Sequence, residues 1–108
     1  MEARKVVAEI SVVPLGTGNP GVSEFVAACI GVLDKRKNIN YRLTPMGTIM
    51  EGPLDEILAV TREMHEVPFT KGALRVTTTL KIDDRRDKPL SMEGKLTSVR
   101  KRMPSVKI

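Results

Sequence analysis

The feature that most constrains this chain is the run Ala73 to Asp83, Ala-Leu-Arg-Val-Thr-Thr-Thr-Leu-Lys-Ile-Asp, with its strict alternation. Val76, Thr78, Leu80 and Ile82 fall on one side, and Arg75, Thr77, Thr79 and Lys81 on the other. Side chains of a strand point alternately to opposite faces, so this pattern predicts a strand with one covered face and one polar face. Lys5 to Val13 repeats the theme. Val6, Ala8, Ile10 and Val12 form a uniformly apolar set, while Val7, Glu9, Ser11 and Val13 are mixed. A sheet built from such strands must be sealed by helices on one side only.

Elsewhere the period changes. Val22, Phe25, Val26, Cys29 and Leu33 recur at helical spacing after the loop Pro14 to Gly21. Ser23 or the loop before it is expected to cap this helix, with Lys35, Arg36 and Lys37 in its last turn, where cations complement the helix dipole. Tyr41 to Thr44 and Thr48 to Glu51 are short extended runs around Pro45-Met46-Gly47, which predicts a hairpin. Gly52-Pro53 opens a second helix, with proline at its first position and Asp55 and Glu56 at its positive end. Leu54, Ile57, Leu58, Thr61, Met64 and His65 are its expected stripe, ending before Pro68. After the charged stretch Asp83 to Lys88, Ser91 can cap a last helix bearing Met92, Leu96, Val99 and Met103.

The predicted order is β-α-β-β-α-β-α. Its first six elements follow the ferredoxin-like plan, an α+β βαββαβ sandwich, here with an extra C-terminal helix. One domain over 1–108 is expected, because 108 residues suffice for one core. The open face of the sheet is expected to carry Glu9, Ser11, Arg42, Thr44, Thr48, Met50, Arg75, Thr77, Thr79 and Lys81. Such a half-polar face suits a subunit contact or a small-molecule site between subunits.

Charge is localised. Net charge is +5, yet after position 94 there are five basic residues (Lys95, Arg100, Lys101, Arg102 and Lys107) and no acid, so the rest of the chain is balanced. Cys29 is the only cysteine, which rules out an internal disulfide and points to a reducing, cytoplasmic setting. No leader pattern and no membrane-length apolar run is read.

Chemical motifs are sparse. Gly16-Thr-Gly-Asn-Pro-Gly21 matches the dinucleotide-binding glycine pattern in letters, but Pro20 removes a donor N–H and no acid follows about twenty residues on. A structural turn is the better reading. His65 is the sole histidine, and no metal-ligand spacing or nucleophile–base pair is present. Cys29 reads as a buried, inert thiol. No catalytic residue, metal or cofactor is therefore expected. Glu9, Ser11, Thr48 and Glu51 are the best candidates for reading a polar heteroaromatic ring, since carboxylates accept from amines and hydroxyls do both.

Three runs carry a resemblance. Glu9-Ile-Ser-Val-Val-Pro-Leu-Gly-Thr17, Tyr41-Arg-Leu-Thr-Pro-Met-Gly-Thr48 with Glu51-Gly52, and Arg75 to Lys88 resemble the thiamine-binding protein family over essentially the whole chain. Lys95-Leu-Thr-Ser-Val99 is similar to that family's last helix. The resemblance implies a ferredoxin-like fold, a homo-oligomer assembled as a tetramer from a dimer of dimers, and non-catalytic binding of thiamine or its hydroxymethylpyrimidine part. Carried over by motif, Ser11, Pro14, Met46, Gly47, Thr48 and Arg75 become ligand-binding candidates beside Glu9. A nucleic-acid partner is not expected, because base stacking needs sheet aromatics and only Phe25, Tyr41 and Phe69 exist. The basic C-terminus alone supports an RNA-binding alternative. A purely structural or regulatory oligomer is the other alternative.

Overall fold

The computed structural model describes residues 4–108. Strands β1 (Lys5–Leu15), β2 (Asn40–Thr44), β3 (Gly47–Pro53) and β4 (Arg75–Asp83) form one antiparallel sheet in the order β2-β3-β1-β4. Helices α1 (Ser23–Asp34) and α2 (Leu54–Thr70) cover one face, and α3 (Met92–Arg102) follows β4. This is the ferredoxin-like α+β arrangement with an added C-terminal helix. Among the described residues no helix is long and apolar enough to cross a membrane.

The register sorts the side chains. Val6, Ala8 and Ile10 stand opposite Gly52, Met50 and Thr48 on β3, and Ala8 and Ile10 stand opposite Ile82 and Leu80 on β4. Cross-strand partners share a face, so all of these lie beneath the helices. Val6, Ala8, Ile10 and Met50 join Cys29 and Leu33 of α1 and Ile57, Val60 and Met64 of α2 in the core. Thr48 and Met50 therefore belong to the helix-covered face, not to the open face where the sequence pattern put them. The hairpin turn supplies the shift: Thr44 pairs with Gly47, so Met50 and Tyr41 face the core together.

Several element ends differ from the periodicity. Helix α1 stops at Asp34, leaving Lys35 as its C-cap and Arg36 beyond it. Arg36 instead ties α1 to α2, donating to Glu56 at 2.8 Å and also pairing with Glu63. The start of α1 has no side-chain cap. Pro53 is the N-cap of α2 rather than its first residue. Val60 replaces Leu58 in the buried stripe, Leu58 being exposed.

Pro68 does not end α2, which continues to Thr70. A proline inside a helix frees the carbonyl four residues earlier, here that of Met64. The Cys29 thiol donates to this oxygen at 3.4 Å, so the freed acceptor is used and α1 is fixed to α2.

Helix α3 starts where the open face ends. Ser91 caps it by accepting from the Gly94 N–H at 2.9 Å. Glu51, on the open face opposite Val7, accepts from the Met92 N–H at 2.8 Å. This buried carboxylate sits at the positive end of the helix, where an anion is favoured. Arg42–Glu93 and Lys95–Asp83 ion pairs flank the junction, each at 2.5 Å. In the 83–88 loop Arg85 grips Asp87, and Asp84 pairs with both Arg86 and Arg4. Its Arg86 partner holds the Asp84 carboxyl below the usual carboxylate range.

Gly52 permits the closest approach in the sheet. A Cβ there would lie 2.9 Å from the Asn38 carbonyl oxygen and 3.2 Å from the Ile39 side chain. Gly52→Ala is expected to cost about 2 kcal/mol, as overpacking commonly does, and chemical denaturation reads that loss directly. Asp84→Asn removes a carboxylate that stabilises the fold above its lowered pKa and stops doing so on acidification through it. The variant's melting temperature should therefore vary less with pH across the acid limb than that of the parent.

Candidate functional site

The sheet is ragged at one end. Pairing of β1 with β3 stops at Ile10 opposite Thr48, while pairing of β1 with β4 runs on from Ser11 to Leu15. The last five residues of β1 thus have a neighbour on one side only. Above this step lies α1, and beside it lies the β2–β3 turn. The space between them is a cleft of about 700 Å³, within the range of roughly 300–1,000 Å³ typical of small-molecule sites.

Three elements wall the cleft. Val22, Val26 and Ile30 come from α1, Leu43 to Thr48 from the hairpin, and Ile10 to Val13 from β1. Cys29 and Met64 complete it from the core side. The lining is apolar apart from a few hydroxyls and backbone groups. It contains no acidic, basic or histidine side chain.

Thr48 is the most telling residue. It is 5% exposed, it lines the cleft, and its hydroxyl makes no hydrogen bond to another described residue. No described buried side-chain oxygen is both sealed from solvent and unpartnered, so the Thr48 hydroxyl is reachable from the cleft. A hydroxyl on the wall of such a cleft with no protein partner is free to donate to and accept from a ligand atom. Thr44 by contrast is occupied. Its hydroxyl donates to the Gly47 carbonyl at 2.7 Å and accepts from the Gly47 N–H at 3.1 Å, which shapes the turn.

The sequence candidates divide. Ser11, Met46, Gly47 and Thr48 line the cleft. Met46 is 88% exposed at its mouth, where a flexible thioether can adapt to different contacts. A Cβ on Gly47 would lie 3.2 Å from the Ile10 carbonyl oxygen and 3.5 Å from the Glu9 side chain, so only glycine keeps the turn close to β1. Glu9 and Arg75 are on the open face, opposite Lys81 and Leu15 respectively, and outside the cleft. Glu9 forms an ion pair with Lys81 at 3.8 Å. Pro14 is buried further along β1, and it too is not part of the lining. Glu51 serves the start of α3.

The remaining motifs are structural. Gly16 and Gly18 adopt positive φ values of 69° and 78°, which explains glycine at both. Asn19 closes that loop by accepting from the Gly21 N–H at 2.8 Å. His65 shares a 2.6 Å hydrogen bond with the Thr78 hydroxyl and meets the Phe69 ring edge-on. Tyr41 faces the core side and donates to Asp34 at 2.7 Å, leaving the open face without an aromatic ring among the described residues. What sequence reading missed is the α1 wall and the step in the sheet. Pro14 was the available signal, since a strand proline belongs on an edge.

A family model described as thiamine-binding protein matches residues 8–100. The chain belongs to the thiamine-binding protein family. Among relatives, the UPF0045 protein YqgV of Bacillus subtilis is 43% identical over 90% of this chain and 96% of its own length. The crystal structure of the Methanocaldococcus jannaschii protein MJ1052 matches with a TM-score of 0.81 at 43% identity, covering 89% of this chain and 96% of that one. A Thermotoga maritima structure, described as a candidate thiamine biosynthesis/salvage protein, matches with a TM-score of 0.72 at 25% identity, over 89% and 99% of the two chains.

Cys29 gives this family member an internal reporter. Burial pushes its thiol pKa up and makes the thiolate scarce at neutral pH. Maleimide labelling of native protein should be at least about tenfold slower than in denaturant. A compound seated in the cleft should slow it further.

Proposed function

We propose that this member of the family binds thiamine through its aminopyrimidine part, without catalysis, in the cleft between α1 and the β2–β3 turn. The observation that carries this reading is the Thr48 hydroxyl, which belongs to a residue only 5% exposed, has no hydrogen-bond partner among the described residues and opens to a largely apolar cavity. A flat, neutral heteroaromatic ring offers both apolar faces and polar edge atoms to such a place. The thiazolium cation fits the uncharged interior poorly and would sit toward the mouth, near Met46. The absence of acidic, basic and histidine side chains from the lining supports binding over turnover. Its one titratable group, Cys29, is held un-ionised and already donates to the Met64 carbonyl.

The proposal extends to assembly in a cytoplasmic setting. Helix α3 has no buried residue, and Val99 and Met103 on its apolar side are exposed. A second copy of the chain across the open face would cover them, and further pairing of such dimers would give the tetramer. Native mass spectrometry of the purified protein should then show even-numbered assemblies, whereas monomers at micromolar concentration would contradict this.

Calorimetric titration with thiamine and with 4-amino-5-hydroxymethyl-2-methylpyrimidine is expected to give saturable heat. Thr48→Val, which keeps shape and removes the hydroxyl, should weaken binding about tenfold, as the loss of one buried hydrogen bond does. Its melting temperature should stay within about 3 °C of the parent. No heat and no thermal shift with either compound would overturn the reading.

A further inference from the structure

The step in the sheet leaves one backbone unit of β1 aimed into the cleft, and the register identifies which. Pro14 stands opposite Val76 on β4. In an antiparallel ladder, residues directly opposite either exchange two N–H···O bonds or none, in alternation. Pro14 has no N–H, so Pro14–Val76 is a pair without hydrogen bonds. Counting back, Val13–Thr77 and Ser11–Thr79 are the bonded pairs, and Val12–Thr78 is another without them. The N–H and C=O of Val12 therefore point away from β4.

They point where a neighbour is missing. Ile10, two residues earlier and of the same parity, turns its carbonyl toward β3, 3.2 Å from where a Gly47 Cβ would stand. Strand β3 pairs with β1 no further than Ile10. No residue of the turn makes a backbone hydrogen bond to Val12. Val12 is half-buried and lines the cleft. A donor and an acceptor thus stand side by side, unpaired, on an apolar wall that also carries the free Thr48 hydroxyl. Backbone donors and acceptors are strong hydrogen-bonding groups, so this pair is available to a ligand in the cleft.

Resting on the function proposed above, we infer that the Val12 N–H and C=O form the pairing edge of this site, selecting rings in which an amine adjoins a ring nitrogen. The Val12 N–H donates to the ring nitrogen, and the ring's amine donates to the Val12 carbonyl. The ring thereby takes the place the next strand would have filled. A peptide strand cannot take it in the same way, because the next outward donor along β1 would be that of Pro14, which has none.

The decisive experiment compares 4-amino-5-hydroxymethyl-2-methylpyrimidine with the same compound lacking the 4-amino group. The expected result is binding of the first and a loss of about tenfold to a hundredfold for the second, which leaves the Val12 carbonyl unpaired. In ¹⁵N-labelled protein the Val12 amide resonance should move downfield on saturation with the amino compound. Val12→Pro removes the outward N–H without breaking a bond to β4, and should weaken binding about tenfold or more. The two ligands and the amide shift test the inference in the parent protein, whether or not that variant folds. Equal affinities for the two compounds, or a Val12 amide unmoved at saturation, would overturn this inference while leaving thiamine binding in place. Failure of both compounds and of thiamine to bind would overturn both.

Discussion

The mismatch in length between β1 and the β2–β3 hairpin is the constraint on which the site depends. Strand β1 spans 11 residues, whereas β3 spans 7 and meets it only as far as Ile10. Had the hairpin been two residues longer, Val12 would have a partner and α1 would rest on a continuous sheet. Gly47 holds the truncated turn against β1, where a side chain would collide with the Ile10 carbonyl. A cavity arises because the sheet stops while the helix above it does not.

The same economy explains how the core tolerates its irregularities. Pro68 frees a carbonyl inside α2, and Cys29 of α1 donates to it. Glu51 is a buried acid on the open face, and its charge lies at the positive end of α3. Each apparent defect is matched by a group from a distant part of the chain. The lone cysteine and the buried carboxylate thus have structural duties, which leaves the free edge of β1 and hydroxyls such as that of Thr48 as the polar groups of the cleft open to a ligand.

Element order and faces were legible because the apolar periods are unambiguous. Val6, Ala8 and Ile10 lie under the helices as alternation requires, and Ser91 caps α3 as its position suggests. The hairpin misleads by one face at Thr48 and Met50, because the four-residue run Thr48 to Glu51 has too few positions to fix its phase against β1. The end of α2 was missed because proline's cost depends on whether the freed carbonyl finds a donor, which is a tertiary fact. The cleft itself depends on relative strand lengths and on the placement of α1. Only Ser11, Met46, Gly47 and Thr48 among the candidates line it, while Glu9, Pro14 and Arg75 do not. Alternation identifies the two sides of a strand; it says nothing about where a neighbouring strand runs out.

A crystal structure of the protein soaked with 4-amino-5-hydroxymethyl-2-methylpyrimidine tests this account most directly. Difference density should show one flat ring beside Val12 and Thr48, under α1, in the plane that β3 vacates. Density instead on the polar reverse of the sheet, against Glu9 and Arg75, would contradict it.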